Sequence, residues 1–396
     1  MPNFFVLGEF FMETAGIICE YNPFHRGHRL QLEKTRREVG PQGAIVCLMS
    51  GRFVQRGEPA VFAPELRARA AVLSGADLVL ELPITGAVNA AGYFARTAVE
   101  CFQRMGGVTM LSFGSEWGNL QALERAAGAI GTPAFDSALR EALSSGCSFA
   151  AARTKALTAL GIPGVVLESP NNALGVEYIR ALRALDSPIR PWTYQRDQSI
   201  PTASALREKM GRESIQGELP WEGIYRGAAL HKMEYGEKAM LAVLRSLPDA
   251  AFEQMAFESE GIFSKVRRAC HQENSIDGIL AACKSRRFAY SRLRRTLMCL
   301  FLGLSQQDMD REIPYLRVLA FNDRGRQVLS GVRKDSQIPL ISGAIPKTQE
   351  AMEYFGLESR AADLYTLFAP EGTREPWDML RQHQPVYVQD VPKKRK

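Results

Sequence analysis

Gly16-Ile-Ile-Cys-Glu-Tyr-Asn-Pro-Phe-His-Arg-Gly-His28 begins as an apolar run, turns at Asn22-Pro23 and ends in two histidines three positions apart. Residues 15–19 are short and uncharged, as a buried strand is, and residues 27–39 carry helical periodicity. A strand that turns into a helix sets the helix N-terminus beside the strand's carboxyl end. Unpaired backbone N–H groups and the helix dipole favour an anion there, and Gly27 leaves room for its approach. Two imidazoles at that point can face a bound triphosphate and stabilise charge on a departing pyrophosphate without a covalent intermediate. The spacing is not the His-Glu-x-x-His of zinc proteases, so it does not point to a metal hydrolase.

Working outward, apolar runs at 44–49, 78–82 and 109–113 alternate with amphipathic stretches at 64–74 and 90–103. This is the rhythm of an α/β domain with a parallel sheet. The four strands end in residues suited to loops, at 20–23, 50–51, 83 and 114–115, and ligands of such sheets bind outside the carboxyl ends, so the four loops are expected to line one site. Residues 165–167 and 189–194 read as further strands. The α/β domain is expected to span 15–215, with residues 1–14 an N-terminal extension and Met12 the expected start. Beyond 215, helical periodicity dominates, most clearly over 281–304, where Leu293, Leu297, Leu300 and Leu304 form an apolar stripe. A mostly α-helical region over 216–385 and a basic, solvated tail over 386–396 follow from this.

The composition excludes several classes. With 46% hydrophobic and 23% charged residues the chain reads as an ordinary globular protein. No apolar run is long enough to cross a bilayer, and no signal peptide is evident, so a cytoplasmic, non-membrane protein is expected. The seven cysteines lack Cys-x-x-Cys spacing, which gives neither a zinc site nor a disulfide framework. The net charge of +6 is too mild to argue for nucleic acid. Its distribution is more telling: residues 261–300 hold nine Lys and Arg against two acids. On a continuous helix Arg287, Tyr290 and Arg294 would share one face, offering cations to phosphates and a ring to an unstacked base.

Other candidates are Asn171-Asn172 after Pro170, and Ser204 with Arg207 at a helix start, where hydroxyl and N–H donors meet phosphates. Met49-Ser50-Gly51 with Arg52 and Arg56 forms a candidate pocket for a carboxylate or phosphate. The residues alone leave open a nucleotidylyltransferase acting on a small phosphorylated metabolite, and a non-catalytic RNA-binding protein built on a nucleotide fold.

The segment 16–28, together with Met49-Ser-Gly-Arg-Phe-Val-Gln-Arg-Gly-Glu-Pro-Ala60, Gly75-Ala-Asp-Leu-Val-Leu-Glu-Leu-Pro83 and Phe113-Gly-Ser-Glu116, closely resembles the bacterial tRNA(Met) cytidine acetate ligases, nucleotidylyltransferases with the His-x-Gly-His signature. Pro170-Asn-Asn-Ala-Leu-Gly175, Thr202-Ala-Ser-Ala-Leu-Arg207, Lys284-Ser-Arg-Arg-Phe-Ala-Tyr-Ser-Arg-Leu-Arg-Arg295 and Tyr315-Leu-Arg-Val-Leu-Ala-Phe-Asn322 extend the resemblance over nearly the whole chain. It implies a Rossmann-like nucleotidylyltransferase domain followed by a helical tRNA-binding domain. It also implies a ligase that converts acetate and ATP to acetyl-adenylate and then acetylates the wobble cytidine of elongator tRNA(Met), with no stable protein partner.

By this resemblance His25 and His28 are catalytic. ATP is held by Ile18, Cys19, Glu20, Tyr21, Asn22, Pro23, Phe24, His25, Arg26, Gly27, His28, Arg29, Leu30 and Gln31, with Gly114, Asn171, Arg196 and Ser204. The tRNA is met by Lys284, Arg286, Arg287, Tyr290 and Arg294. Mg2+ is expected to accompany ATP. The family's longer loop with a basic pair is here the short stretch 194–200, which supplies one arginine, Arg196.

Overall fold

In the computed structural model the described residues are 6–7, 10–210, 215, 217–257, 261–285, 288–332, 336–343, 347–373 and 380–389. Four apolar runs and a more polar fifth segment become parallel strands: β1 (Thr14–Cys19), β2 (Ala44–Ser50), β3 (Leu78–Leu82), β4 (Met110–Ser115) and β5 (Arg190–Gln195). They lie side by side in the order β3-β2-β1-β4-β5. Every residue of β1 and β2 is buried, because helices cover both faces, and this is why these strands read as unbroken apolar runs.

Helices α1 (Arg26–Val39), α2 (Pro64–Leu73) and α3 (Ala91–Met105) make the crossovers between the first four strands, and α4 (Pro170–Ala184) precedes β5. A short helix, α5 (Ala203–Lys209), follows the sheet's fifth strand. The approach of α3 is close enough that a Cβ on Gly16 would stand 2.8 Å from the Phe102 ring. The strand order reverses at β1, which has β2 on one side and β4 on the other, so the crevice above β1 and β4 is the natural ligand site.

Three expectations are corrected. Residues 165–167 are not a strand: Gly164–Leu167 is a single 3-10 turn, with Val166 buried and Val165 exposed. Pro163 and Pro170 bracket this run, and the place beside β4 is taken by β5.

Strand structure also returns late in the chain. β6 (Leu316–Phe321) is antiparallel to β3, and carries β7 (Leu340–Ile341) and β8 (Val386–Tyr387) parallel to itself. The sheet therefore has eight strands, drawn from both sides of residue 215, and β8 lies in the stretch expected to be tail. At the other end, Thr14 already belongs to β1, while Val6–Leu7 pairs with Phe10–Phe11 in a two-stranded ladder.

The third correction concerns 281–304, which is not one helix. α6 (Ile276–Cys283) stops before Lys284 and α7 (Tyr290–Leu302) begins after Ala289. Between them the Ser285 hydroxyl accepts from the Phe288 amide at 3.3 Å, one of the side-chain bonds that compete with helix. The leucine stripe is buried as expected, with Leu293, Leu297, Leu300 and Leu304 all at or below 3% exposure. It belongs to a helical core that also takes in Phe53, Ile84 and Val88 from loops at the carboxyl end of the sheet. The last long helix, α8 (Gln349–Tyr365), gives Tyr354 and Phe355 to the sheet's core and Tyr365 to the helical one.

Candidate functional site

The two histidines are set by the way α1 begins. His25 is the N-cap, and its Nδ1 accepts from the Gly27 amide at 3.0 Å. His28 reaches back, its Nδ1 accepting from the His25 amide at 3.3 Å. The pair forms a capping box with imidazoles where hydroxyl and carboxylate groups usually serve. An Nδ1 that accepts cannot carry a proton, so each neutral ring holds its hydrogen on Nε2 and presents it as a donor. Burial and the nearby Arg196 cation lower the His25 pKa to about 4. For His28 burial, the His25 ring and Arg196 act in the same direction, so both rings are neutral at pH 7. The ring centroids lie 3.9 Å apart.

Above β1 and β4 a cavity of about 310 Å3 opens, large enough for a small ligand. Of the residues expected at the site, Ile18, Cys19, Glu20, Tyr21, Asn22, Gly27, His28 and Gln31 line it, joined by Gly114, Asn171 and Arg196. The others surround it. Phe24 is wholly buried in the core beneath, next to the Asn22-Pro23 cis peptide. His25 is 2% exposed and stacked on His28, Arg26 pairs with Glu218, and Arg29 pairs with Glu33. Leu30 is half-buried, and Ser204 Oγ accepts from Arg207, whose other nitrogen donates to the Asn22 carbonyl at 2.7 Å. The cap of α5 is Thr202, not Ser204.

First-turn residues of four helices border this cavity: Gly27 and His28 of α1, Ala91 of α3, Asn171 of α4 and Ala203 of α5. None of the four helices has an acidic residue in its first turn. These helix ends, with Arg56 and Arg196, bring positive charge to the cavity, against which stand the carboxylates of Glu20 on its lining and of Glu116, which accepts from an amide at the start of α4.

Gly114 lets Tyr194 and Arg196 pack close to β4, because a Cβ there would lie 2.8 Å from the Tyr194 hydroxyl and 2.9 Å from Arg196 Cγ and would push these side chains aside. Glu116, two residues on, organises the opposite wall. Its carboxylate accepts from Asn171 Nδ2 at 2.6 Å and from the Asn172 amide at 2.9 Å, and pairs with Arg196 at 3.6 Å. Asn172 is fully buried, its side-chain oxygen accepting from the Glu116 amide, while Asn171 borders the cavity.

Of the four strand-end loops, the first and fourth form the cavity and the other two do not. Gly51 and Leu82 instead border a separate small cavity with Arg52, Glu81 and Glu358. Arg52, a candidate for the pocket, is 5% exposed and paired with Glu65. Arg56 does reach the main cavity, with Gln55, from the tip of a hairpin in which Phe53–Val54 pairs with Glu58–Pro59.

Sequence reading missed Arg67 of α2. Wholly buried, it donates to the carbonyls of Phe62, Glu20, Ser50 and Gly51, and so ties the ends of β1 and β2 together. It also missed the apolar walls, Phe94, Phe113, Leu174 and Tyr178, whose apolar character has no signal distinguishing wall from core.

The basic segment differs from its expected form. Arg286 and Arg287 lie outside the described residues. α7 begins at Tyr290, with Ala289 as its N-cap, so of the three residues expected on one face Tyr290 and Arg294 belong to this helix. Lys284 is exposed, its Nζ 5.3 Å from the centre of the Tyr290 ring, and Tyr290 is 48% exposed. Arg294 bonds Glu58 of the hairpin at 2.6 Å. Arg292 donates to the Phe257 carbonyl. Among the described residues no cluster of three or more His, Cys, Asp or Glu is arranged to hold a metal ion. No helix there is long and apolar enough to cross a membrane.

Comparison with known proteins matches residues 12–377 to the HIGH Nucleotidyl Transferase family. A tRNA(Met) cytidine acetate ligase of Acetivibrio thermocellus is 32% identical, over 90% of this chain and 95% of that one. The enzyme of the same name from Syntrophomonas wolfei is 33% identical, over 91% and 95%. The crystal structure of Thermotoga maritima TmcAL bound with alpha-thio ATP superposes with a TM-score of 0.85 at 29% identity, covering 96% of this chain and all of that one.

Proposed function

Because the chain belongs to the tRNA(Met) cytidine acetate ligase family of HIGH nucleotidyl transferases, we propose that it is an ATP-dependent ligase making N4-acetylcytidine at the wobble position of elongator tRNA(Met). Acetate attacks the α-phosphorus of ATP, pyrophosphate leaves, and the cytidine amine takes the acetyl group from acetyl-adenylate. The observation that carries this reading is the reciprocal bonding of the two imidazoles, which leaves His28 at the cavity wall as a neutral Nε2–H donor beside the first turns of four helices. Donors held in advance where negative charge develops lower the barrier to pyrophosphate departure.

In this reading His28 donates to the leaving phosphates, and His25 holds the turn and the ring of His28. The helix ends, Arg56 and Arg196 share the remaining charge, while Asn171 and the backbone at Gly114 meet the nucleotide. Mg2+, where present, would be brought by ATP rather than held by a cluster of protein carboxylates, and would supply charge neutralisation for the departing pyrophosphate alongside His28, Arg56 and Arg196. The exposed Lys284 and Tyr290, with Arg286, Arg287 and Arg294, form the proposed contact to tRNA, and the reaction takes place in the cytoplasm.

The test is release of pyrophosphate from ATP, with and without acetate, followed by incorporation of labelled acetate into purified tRNAs. Acetate-dependent release and labelling of elongator tRNA(Met) are expected. Release that requires a phosphorylated metabolite in place of acetate would sink the proposal.

A further inference from the structure

Both half-reactions of the proposed function use one cavity, yet the groups described so far serve only the first. Displacement of pyrophosphate needs positive charge and donors. Transfer to an exocyclic amine needs the opposite, because the nitrogen that attacks the carbonyl must give up a proton. Among the described residues lining the cavity, one carboxylate is present, Glu20.

Glu20 stands at the carboxyl end of β1, where the chain leaves the sheet toward the histidines. Its Oε1 accepts from the Gln55 amide at 2.8 Å. Its other oxygen makes no hydrogen bond among the described residues, and the half-buried side chain lines the cavity. The hairpin that supplies the Gln55 amide is itself held from behind. A Cβ on Gly57 would lie 2.9 Å from the backbone of Arg294 and Arg295, and Glu58 bonds Arg294. One oxygen is thus fixed by a backbone donor while the other is left free beside the nucleotide loop, as a positioned base requires.

Resting on the function proposed above, we infer that Glu20 is the general base of acetyl transfer, its free oxygen taking the proton from the cytidine N4 amine. The N4 lone pair forms the new C–N bond at the acetyl carbonyl. The carbonyl-to-phosphate C–O bond breaks with its electron pair going to AMP, and the N4 proton passes to the Glu20 carboxylate, then to solvent. The sum is acetyl-adenylate plus cytidine giving N4-acetylcytidine, AMP and a proton.

Burial pushes the Glu20 pKa above the usual carboxylate range, which makes it a stronger base. The Gln55 amide and the cations that face it, Arg207 on α5, Arg56 on the hairpin and Arg67 on α2, pull the other way.

The two half-reactions can be read separately. In Glu20→Gln, acetylation of tRNA is expected to fall by about a hundredfold or more, in line with loss of a general base. Acetate-dependent pyrophosphate exchange should fall only severalfold, so that acetyl-adenylate accumulates. Glu20→Asp, which keeps the carboxylate, should recover part of the transfer rate. With the wild type, single-turnover transfer should lose rate as pH drops through the raised pKa of Glu20, and Glu20→Gln should lose that limb of the profile. A parallel fall of both half-reactions in Glu20→Gln, or transfer with the wild-type rate and pH profile, would overturn the inference. Wild-type protein without acetate-dependent exchange would instead remove the functional reading, and the inference with it.

Discussion

The nucleotide loop and the basic stretch near α7 are both conspicuous in the sequence, but only the first has its geometry written locally. Residues 18–31 run from strand through turn to helix, and nearly every constraint on His25 and His28 comes from within that stretch: the cap, the reciprocal bond and the ring stacking. In the basic stretch, Arg292 and Arg294 have partners that lie far along the chain. Arg294 is bonded to Glu58 and Arg292 to the Phe257 carbonyl, leaving Lys284 and Tyr290 exposed together. A contiguous motif at a helix N-terminus fixes its own donors, whereas a count of cations says little about where each one points.

The comparison is sharpened most by His28→Ala. If the loop carries its function locally, losing the Nε2–H donor should slow acetate-dependent pyrophosphate release by about 10^2 to 10^3, as loss of a transition-state donor does. A fold intact by thermal unfolding is expected alongside. A fall of less than tenfold would show that the helix ends alone suffice.

His25 tests the same loop through stability. Its folded pKa, about 4, lies below the value of about 6.5 in an unfolded chain. Between these pH values the unfolded state binds a proton that the folded state does not. The stability is therefore fully present above pH 6.5 and is lost as pH falls toward 4, by on the order of 3 kcal/mol. His25→Asn keeps a capping group that does not titrate, and should flatten that part of the dependence in urea unfolding between pH 4.5 and 7.5. An unchanged slope would mean that other groups set it.

Legibility followed the same division. Strands β1 to β4 and the helix after the histidines could be read because short-range pattern specifies them, whereas Gly114 was singled out only through the family resemblance. The strand β6 could not, since its apolar run becomes a strand only by pairing with β3, distant in sequence. Arg67 was hidden for a similar reason: in an amphipathic run it looks like any solvated helix arginine, and its four carbonyl partners come from three separate segments. The local pattern around 281–304 was misleading because a Ser285 side chain outcompetes one turn of helix. The role of His25 was only half visible, since the sequence places it near phosphate but not with Nδ1 committed to the cap.

Gly114 joins the two kinds of region, being local in motif but constrained by the distant Tyr194 and Arg196. Gly114→Ala should displace both side chains from the cavity and weaken ATP binding about tenfold, the cost of roughly 1.4 kcal/mol of misplacement. Calorimetric titration with a non-hydrolysable nucleotide would measure it. Unchanged affinity would place the nucleotide away from β4.

The smallest effect concerns the basic stretch itself. If Arg294 belongs to the tRNA contact, Glu58 competes with phosphate for it, and the pair is partly exposed, with side chains 34% and 21% accessible. Such pairs contribute about 0.2 to 1 kcal/mol, so Glu58→Gln should tighten tRNA binding by roughly 1.4- to fivefold at low salt. Adding Arg294→Gln should abolish that gain and lower the salt slope by about one. The non-additivity of the two changes is the quantity that decides. If Glu58→Gln leaves tRNA affinity unchanged, Arg294 serves to brace the hairpin that carries Gln55 and Arg56, and the tRNA contact must be sought at Lys284 and Tyr290.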